Sequence, residues 1–276
     1  MFEPLDFPTL TEAEWTRVQG VWDLMDDGRL EAARAELRSL TSKRPGHPDL
    51  KIVEASLAIE EDQPQRALEA LRGAERSADP AVFFHLRGVA RHDLLDFEGA
   101  RHDAEQALAV RPEMPEAHDL LSRVLEQLGD EEGAGAHAAE AFELAPEEYP
   151  LPLAVSDEDF DAIVAGSIRE LPEAFRAKLD EIPVFVEALP RREVLEGDDP
   201  PLAPDLLGLF VGQNLLERSH LDPGSLPAGI YLFRRNLLRS CRSREELARE
   251  IRITVQHEVG HLLGYDEDDL DRLGLA

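Results

Sequence analysis

Within the run Val255-Gln256-His257-Glu258-Val259-Gly260-His261, two histidines stand four residues apart. On a helix of about 3.6 residues per turn they project from one face, one turn from each other, so both imidazoles can share one metal ion. Glu258 is too close to the first histidine to complete a compact tetrahedron with both, but its carboxylate can reach a water bound to that metal. Nitrogen donors beside a carboxylate in this order suit Zn2+ and a hydrolysis in which the carboxylate takes the proton of the attacking water. Gly264 follows His261 by three residues and is expected to end the helix. A left-handed glycine there would reverse the chain and bring Asp266, Glu267, Asp268 and Asp269 beneath the histidines, supplying a third ligand.

The elements that must hold these residues can be read around them. A helix beginning near Arg244 carries Leu247, Ile251, Val255 and Val259 as one apolar stripe. Ser156 precedes the acidic turn Asp157-Glu158-Asp159 and an apolar periodicity through Phe160, Ile163, Val164, Ile168 and Leu171, which predicts a helix capped by that serine. The segment from Pro172 to about Asp180 continues as helix, and the runs IPVFVEAL, LLGLFVG and GIYLFRR have strand character. A small sheet with long helices is therefore expected over residues 151–276. Tyr265 and Arg234 are polar enough to stabilise an oxyanion, although each has an ordinary structural reading, and His220 reads as a loop residue.

Residues 1–150 follow another rule. Pro45, Pro80, Pro112 and Pro146 recur at intervals of 35, 32 and 34, each closing a stretch rich in Ala, Leu, Glu and Arg. Small residues repeat at offsets of 12 and then 7: Ala55, Ala67 and Ala74; Gly88, Ala100 and Ala107; Ser122, Ala134 and Ala141. Such a period marks stacked helix pairs. The pattern resembles the tetratricopeptide repeat, closest in FFHLRGVARHDLLDFEGARHDAEQALAVRP and weakest in the first unit, which keeps Gly28, Ala33 and Pro45 but has Leu40 where a small residue is usual. Four units exceed the three or so that a solenoid needs. The resemblance implies a concave surface that binds a protein; a plain helical spacer is the other reading. His85, His92, His102, His118 and His137 lack ligand spacing and are expected at the surface or in packing. Pro150 and Pro152 interrupt the helical period, so EEYPLPLAVSDEDF reads as the linker.

From about Asp157 to Leu275 the chain resembles the bacterial minimal zincin-like metallopeptidases, whose motif is H-E-x-x-H-x-x-G-x-x-D. The likeness runs through FDAIVAGSIRELPEAFRAKLDEIPVFVE, LLGLFVGQNLLERS, LPAGIYLFRRNLL and TVQHEVGHLLGYDEDDLDRLGL. It implies His257 and His261 as zinc ligands, Glu258 as general base and Glu267 as third ligand, where the family has Asp; Asp266 and Asp268 are the alternatives. It also implies an edge strand that would align an extended substrate, for which the strand around Gly229 to Phe233 is the candidate. The fold class implied is mixed: an all-α tetratricopeptide-like solenoid, residues 1–150, followed by a small α+β zincin-like domain, residues 151–276. The function implied is zinc-dependent peptide-bond hydrolysis, with protein clients recruited by the repeats. The alternative is a catalytically weak metal-binding scaffold or adaptor. HLLGYDE also resembles the bacterial rRNA-maturation endonucleases, H-G-x-x-H-L-x-G-Y-D-H, but Glu258 replaces their Gly and Glu267 their third His.

Composition weighs on the same side. The 276 residues carry a formal charge of -29, divided as 33 acidic and 15 basic residues before position 151 and 25 and 14 after it. Neither half offers the basic groove that nucleic acid requires, so basic or neutral protein clients are expected. A hydrophobic share of 43% allows a sizeable core. Cys241 is the lone cysteine, which excludes an intramolecular disulfide framework and points to a reducing compartment. MFEPLDFPTLTEAEW has no basic region and no apolar stretch of signal-peptide length, and no segment is long enough to cross a membrane, so a cytoplasmic location is expected.

Overall fold

The computed structural model describes residues 8–179, 182–197, 201–212, 227–263, 265 and 272. Its contacts divide the chain into two compact units, Met1–Tyr149 and Pro150–Ala276.

In the first unit helices come in pairs: α1 (Glu12–Asp26) with α2 (Leu30–Thr41), α3 (Pro48–Glu60) with α4 (Pro64–Leu71), α5 (Pro80–Asp93) with α6 (Phe97–Val110), and α7 (Pro115–Gln127) with α8 (Glu131–Leu144). Proline opens α3, α4, α5 and α7, where its missing N–H costs the helix nothing. Each pair turns on one left-handed residue, Gly28, Asp62, Leu95 or Gly129. Leu95 is tolerated there because its side chain is buried in the core. The repeated small residues do what their spacing predicts. A Cβ on Gly88 would come within 2.9 Å of Leu120 and 3.4 Å of the Ala100 carbonyl, so α5 and α6 approach too closely for a larger residue. In the first pair, where Leu40 takes the usual small position, that leucine is buried in the core of the unit.

Sequence reading passed over one consequence of this packing. His85, on α5, has its Nδ1 buried with no hydrogen-bond partner among the described residues. Burial first, and then the Arg123 guanidinium, push the imidazole down to about 4, against a weaker pull from Asp119. Because the folded chain binds this proton less readily than the unfolded one, the array is fully stable above the free value of 6.5 and loses stability as pH falls from there towards about 4. The expected loss is at most about 1.4 kcal/mol per pH unit crossed. Comparing unfolding midpoints at pH 7 and pH 4.5 for the natural chain and His85→Leu measures it; the fall should be smaller in the variant.

The second unit opens with α9 (Asp157–Glu170), capped by the Ser156 hydroxyl, which accepts from the Asp159 N–H at 3.2 Å. There follow α10 (Glu173–Leu179), β1 (Val184–Glu187), α11 (Arg192–Leu195), β2 (Gly208–Val211), β3 (Gly229–Phe233), α12 (Arg234–Ser240) and α13 (Arg244–Leu262). The sheet order is β1-β3-β2, with β1 parallel to β3 (Val184 opposite Ile230) and β2 antiparallel to it (Gly208 opposite Leu232). All of β3 is buried. Ile230 and Leu232 meet the core of α9 and α13, while Tyr231 and Phe233 join Val194, Val211 and Phe185 on the other face. In that first core Leu247, Ile251, Val255 and Val259 are fully buried, so the predicted stripe fixes how α13 is rotated. Cys241 lies in the same core, its thiol pushed up chiefly by burial.

Two expectations change here. The strand Gly229–Phe233 is central, paired on both sides, and offers no edge to a substrate. Alternation alone could not order the strands, because a fully buried strand and an edge strand both read as short apolar runs. The segment after Pro150 is also more than a tether: the Leu153 N–H donates to the Leu238 carbonyl at 2.8 Å, and Leu153 and Val155 lie on the core of the second unit.

Candidate functional site

With the apolar stripe of α13 turned into the core, His257 and His261 come out side by side near the helix C-terminus. Their Nε2 atoms are 2.9 Å apart and the rings stand nearly perpendicular, 83° between planes. Both histidines are partly exposed, whereas Glu258 is buried, 7% exposed, on the side facing β2. There its Oε2 accepts the backbone N–H of Phe210 at 2.6 Å. A hydrogen bond to an ionised acceptor is short and strong, and it fixes the carboxylate relative to the strand.

This contact follows from the dimensions of strand and helix. The Phe233 N–H donates to the Leu207 carbonyl, so Leu207, Leu209 and Val211 direct their backbone groups to β3 and the N–H of Phe210 points to the other side. Two residues of strand advance about 6.8 Å and four residues of helix about 6 Å. Gly208 sits against Thr254, and one such step along each element brings Phe210 to Glu258. A Cβ on Gly208 would fall 2.4 Å from the Thr254 Cγ2 and 3.1 Å from the Tyr231 carbonyl, so glycine is what lets β2 lie this close. Ahead of the strand, the buried Asn236 of α12 donates from Nδ2 to the carbonyls of Pro204 and Leu206 at 3.0 and 2.7 Å, holding the segment that feeds β2. Sequence reading found none of Phe210, Gly208 or Asn236 as site residues. A backbone donor leaves no side-chain signature; the glycine within LLGLFVG was the one available signal.

Of the remaining candidates, Glu267, Asp266 and Asp268 lie outside the described residues, as do Gly264 and His220. Among the described residues no three His, Cys, Asp or Glu side chains converge. The Tyr265 N–H donates to the Gly260 carbonyl at 3.0 Å, a bond of the kind that closes a helix C-terminus, and its side chain is exposed. Arg234 forms an ion pair with Asp157 at the start of α9, so the structure assigns it to tying α12 to α9. The donors that do converge, the two Nε2 atoms, fit zinc in type. The partial negative charge at the end of α13 favours a cation in the same place.

An array of stacked helix pairs followed by a small mixed sheet, with a histidine pair on its last helix, defines a two-part protein of repeat and zincin-like domain. Sequence comparison bears this out: residues 179–275 match the zincin-like metallopeptidase family, and residues 19–82 and 86–149 match the tetratricopeptide repeat. The opening helix α9 precedes the matched span. No curated protein matches the chain. Among solved structures it is similar to MamA 41-end from Desulfovibrio magneticus RS-1, at 20% identity over 49% of this chain and 77% of that one, TM-score 0.41. Another is a crystal structure of MamA, 14% identical over 58% and 87%, TM-score 0.39. A third is PilW, described as a widely conserved type IV pilus biogenesis factor, 13% identical over 57% and 84%, TM-score 0.33. No described helix is long and apolar enough to cross a membrane.

Proposed function

We propose that Pro150–Ala276 is a zinc-dependent peptidase domain and that the repeat array brings protein clients to it. The observation that carries this reading is the convergence of the His257 and His261 Nε2 atoms beside a buried carboxylate anchored to a strand. His257 and His261 would hold the ion, with Glu267 as third ligand and Asp266 or Asp268 in its place as alternatives. Zinc, when bound, supplies Lewis acidity towards a carbonyl and towards water.

The chain's own groups do the rest. Glu258 takes the proton of the attacking water and passes it to the amine nitrogen as that group departs. The Phe210 N–H keeps one carboxylate oxygen in place while the proton is moved. Among the described residues β2 is paired on one side only, and on its other side the outward Phe210 N–H is taken by Glu258. A formal charge of -29 favours basic or neutral clients and works against RNA.

Metal analysis of the purified full chain, paired with a peptide-library cleavage assay, tests the reading. The double variant His257→Ala/His261→Ala should lose one equivalent of zinc together with cleavage. Zinc bound at this site without cleavage of any peptide would favour the adaptor. A chain that binds no zinc through these histidines would overturn both.

A further inference from the structure

Tetratricopeptide register brings two histidines together that no linear spacing pairs. His118 on α7 and His137 on α8 are 19 residues apart, the same separation and the same places in the repeat as Arg17 and Glu36, which form an ion pair across the first helix pair. In the third unit the place of His118 is taken by Phe84. In the fourth, the two Nδ1 atoms stand 2.9 Å apart, with the ring centroids at 5.1 Å.

The ring of His118 is buried and already oriented. Its Nε2 lies 3.0 Å from the Pro112 carbonyl, an acceptor only, so Nε2 carries the proton and donates it. Nδ1 of His118 is therefore a lone pair, and in this state the His137 Nδ1–H donates to it. A backbone carbonyl fixing the far nitrogen, and with it the tautomer, is the arrangement that orients metal-ligating histidines. Burial and the neighbouring His118 hold the His137 imidazole below its ordinary value, against a pull the other way from Glu140, Glu105 and Asp130, and 33 acidic residues stand against 15 basic before position 151.

We propose that His118 and His137 form a second metal site, distinct from that on α13, which takes a borderline divalent transition cation through two Nδ1 atoms, with solvent completing the coordination. On binding, the His137 proton moves from Nδ1 to Nε2 by exchange with solvent, so both ligands are neutral imidazoles with a free Nδ1 lone pair. Imidazole donors and the usual order of divalent affinities make Cu2+ the tightest probe, ahead of Zn2+.

The test uses the full chain carrying His257→Ala/His261→Ala, which removes the other histidine pair. Titration with Cu2+, followed by calorimetry and electron paramagnetic resonance, should show one equivalent bound with hyperfine structure from two nitrogens. Adding His118→Phe, which installs the aromatic that the third unit carries at the same place, should weaken that equivalent by more than about tenfold, since even indirect partners of a ligand are worth 10- to 100-fold. Circular dichroism of the His118→Phe chain should match its parent, which separates loss of a ligand from loss of fold; His137→Gln provides a second variant. Absence of a bound equivalent in the parent, or an equivalent that persists unchanged in His118→Phe and His137→Gln, would overturn the proposal.

Discussion

Glu258→Gln should lower kcat for peptide cleavage by about 10²- to 10⁴-fold, the range that a positioned general base contributes, while zinc content stays that of the natural chain. The substitution keeps the shape of the side chain and leaves an amide oxygen to accept the Phe210 N–H, so β2 and α13 can keep their present relation. What it removes is the ability to take a proton. Glu258→Ala is a less informative variant, because it also leaves the part-buried Phe210 N–H without the acceptor it has now, at a cost of up to about 1–3 kcal/mol. Steady-state kinetics on one cleaved peptide, with metal analysis of the same preparations, measures both quantities. Undiminished cleavage in Glu258→Gln at full zinc occupancy would remove Glu258 from the role of base.

How much of this site the sequence discloses depends on whether a contact is local. His257 and His261 belong to one helix, so a spacing of four is enough to place them on a common face, and their Nε2 atoms meet there at 2.9 Å, while Glu258, one residue on, turns towards β2. Phe210 reaches Glu258 across 48 residues through a backbone atom, and nothing in the residue type foretells it. The same limit explains the strand order. GIYLF and GLFV are both short apolar runs, and only the pairing partners decide that the first is central and the second lies at its side. Repeats sit between these cases: Ala55, Gly88 and Ser122 reveal the period and hence which helices pack together. The particular meeting of His118 with His137 emerges only when the register is applied to two side chains at once.

Asp103 shows the energetic side of that register, and its removal is expected to be the most damaging single change in the array. It lies on α6 at the place that His137 holds in the next unit, and it is fully buried. Arg87 grips it with two hydrogen bonds, 2.8 and 2.6 Å, and Arg91 adds a third at 2.9 Å. The Arg87 guanidinium also lies 5.1 and 5.3 Å from the centroids of Phe83 and Phe84, so one carboxylate orders two arginines and the aromatic side of α5. Asp103→Ala leaves both cations without this partner beside a cavity, and breaking a buried pair from one side costs about 3–5 kcal/mol. For a unit of this size the unfolding midpoint should fall by about 10 °C. Asp103→Asn retains an acceptor and should lose less. A chain with Asp103→Leu and Arg87→Met should recover part of the loss, because apolar side chains of similar volume replace a buried ion pair well. Thermal unfolding of the three full-length variants followed by circular dichroism checks the order. Equal stability of Asp103→Ala and the natural chain would mean that solvent already screens the two arginines, and that α5 and α6 are held by their small-residue contact alone.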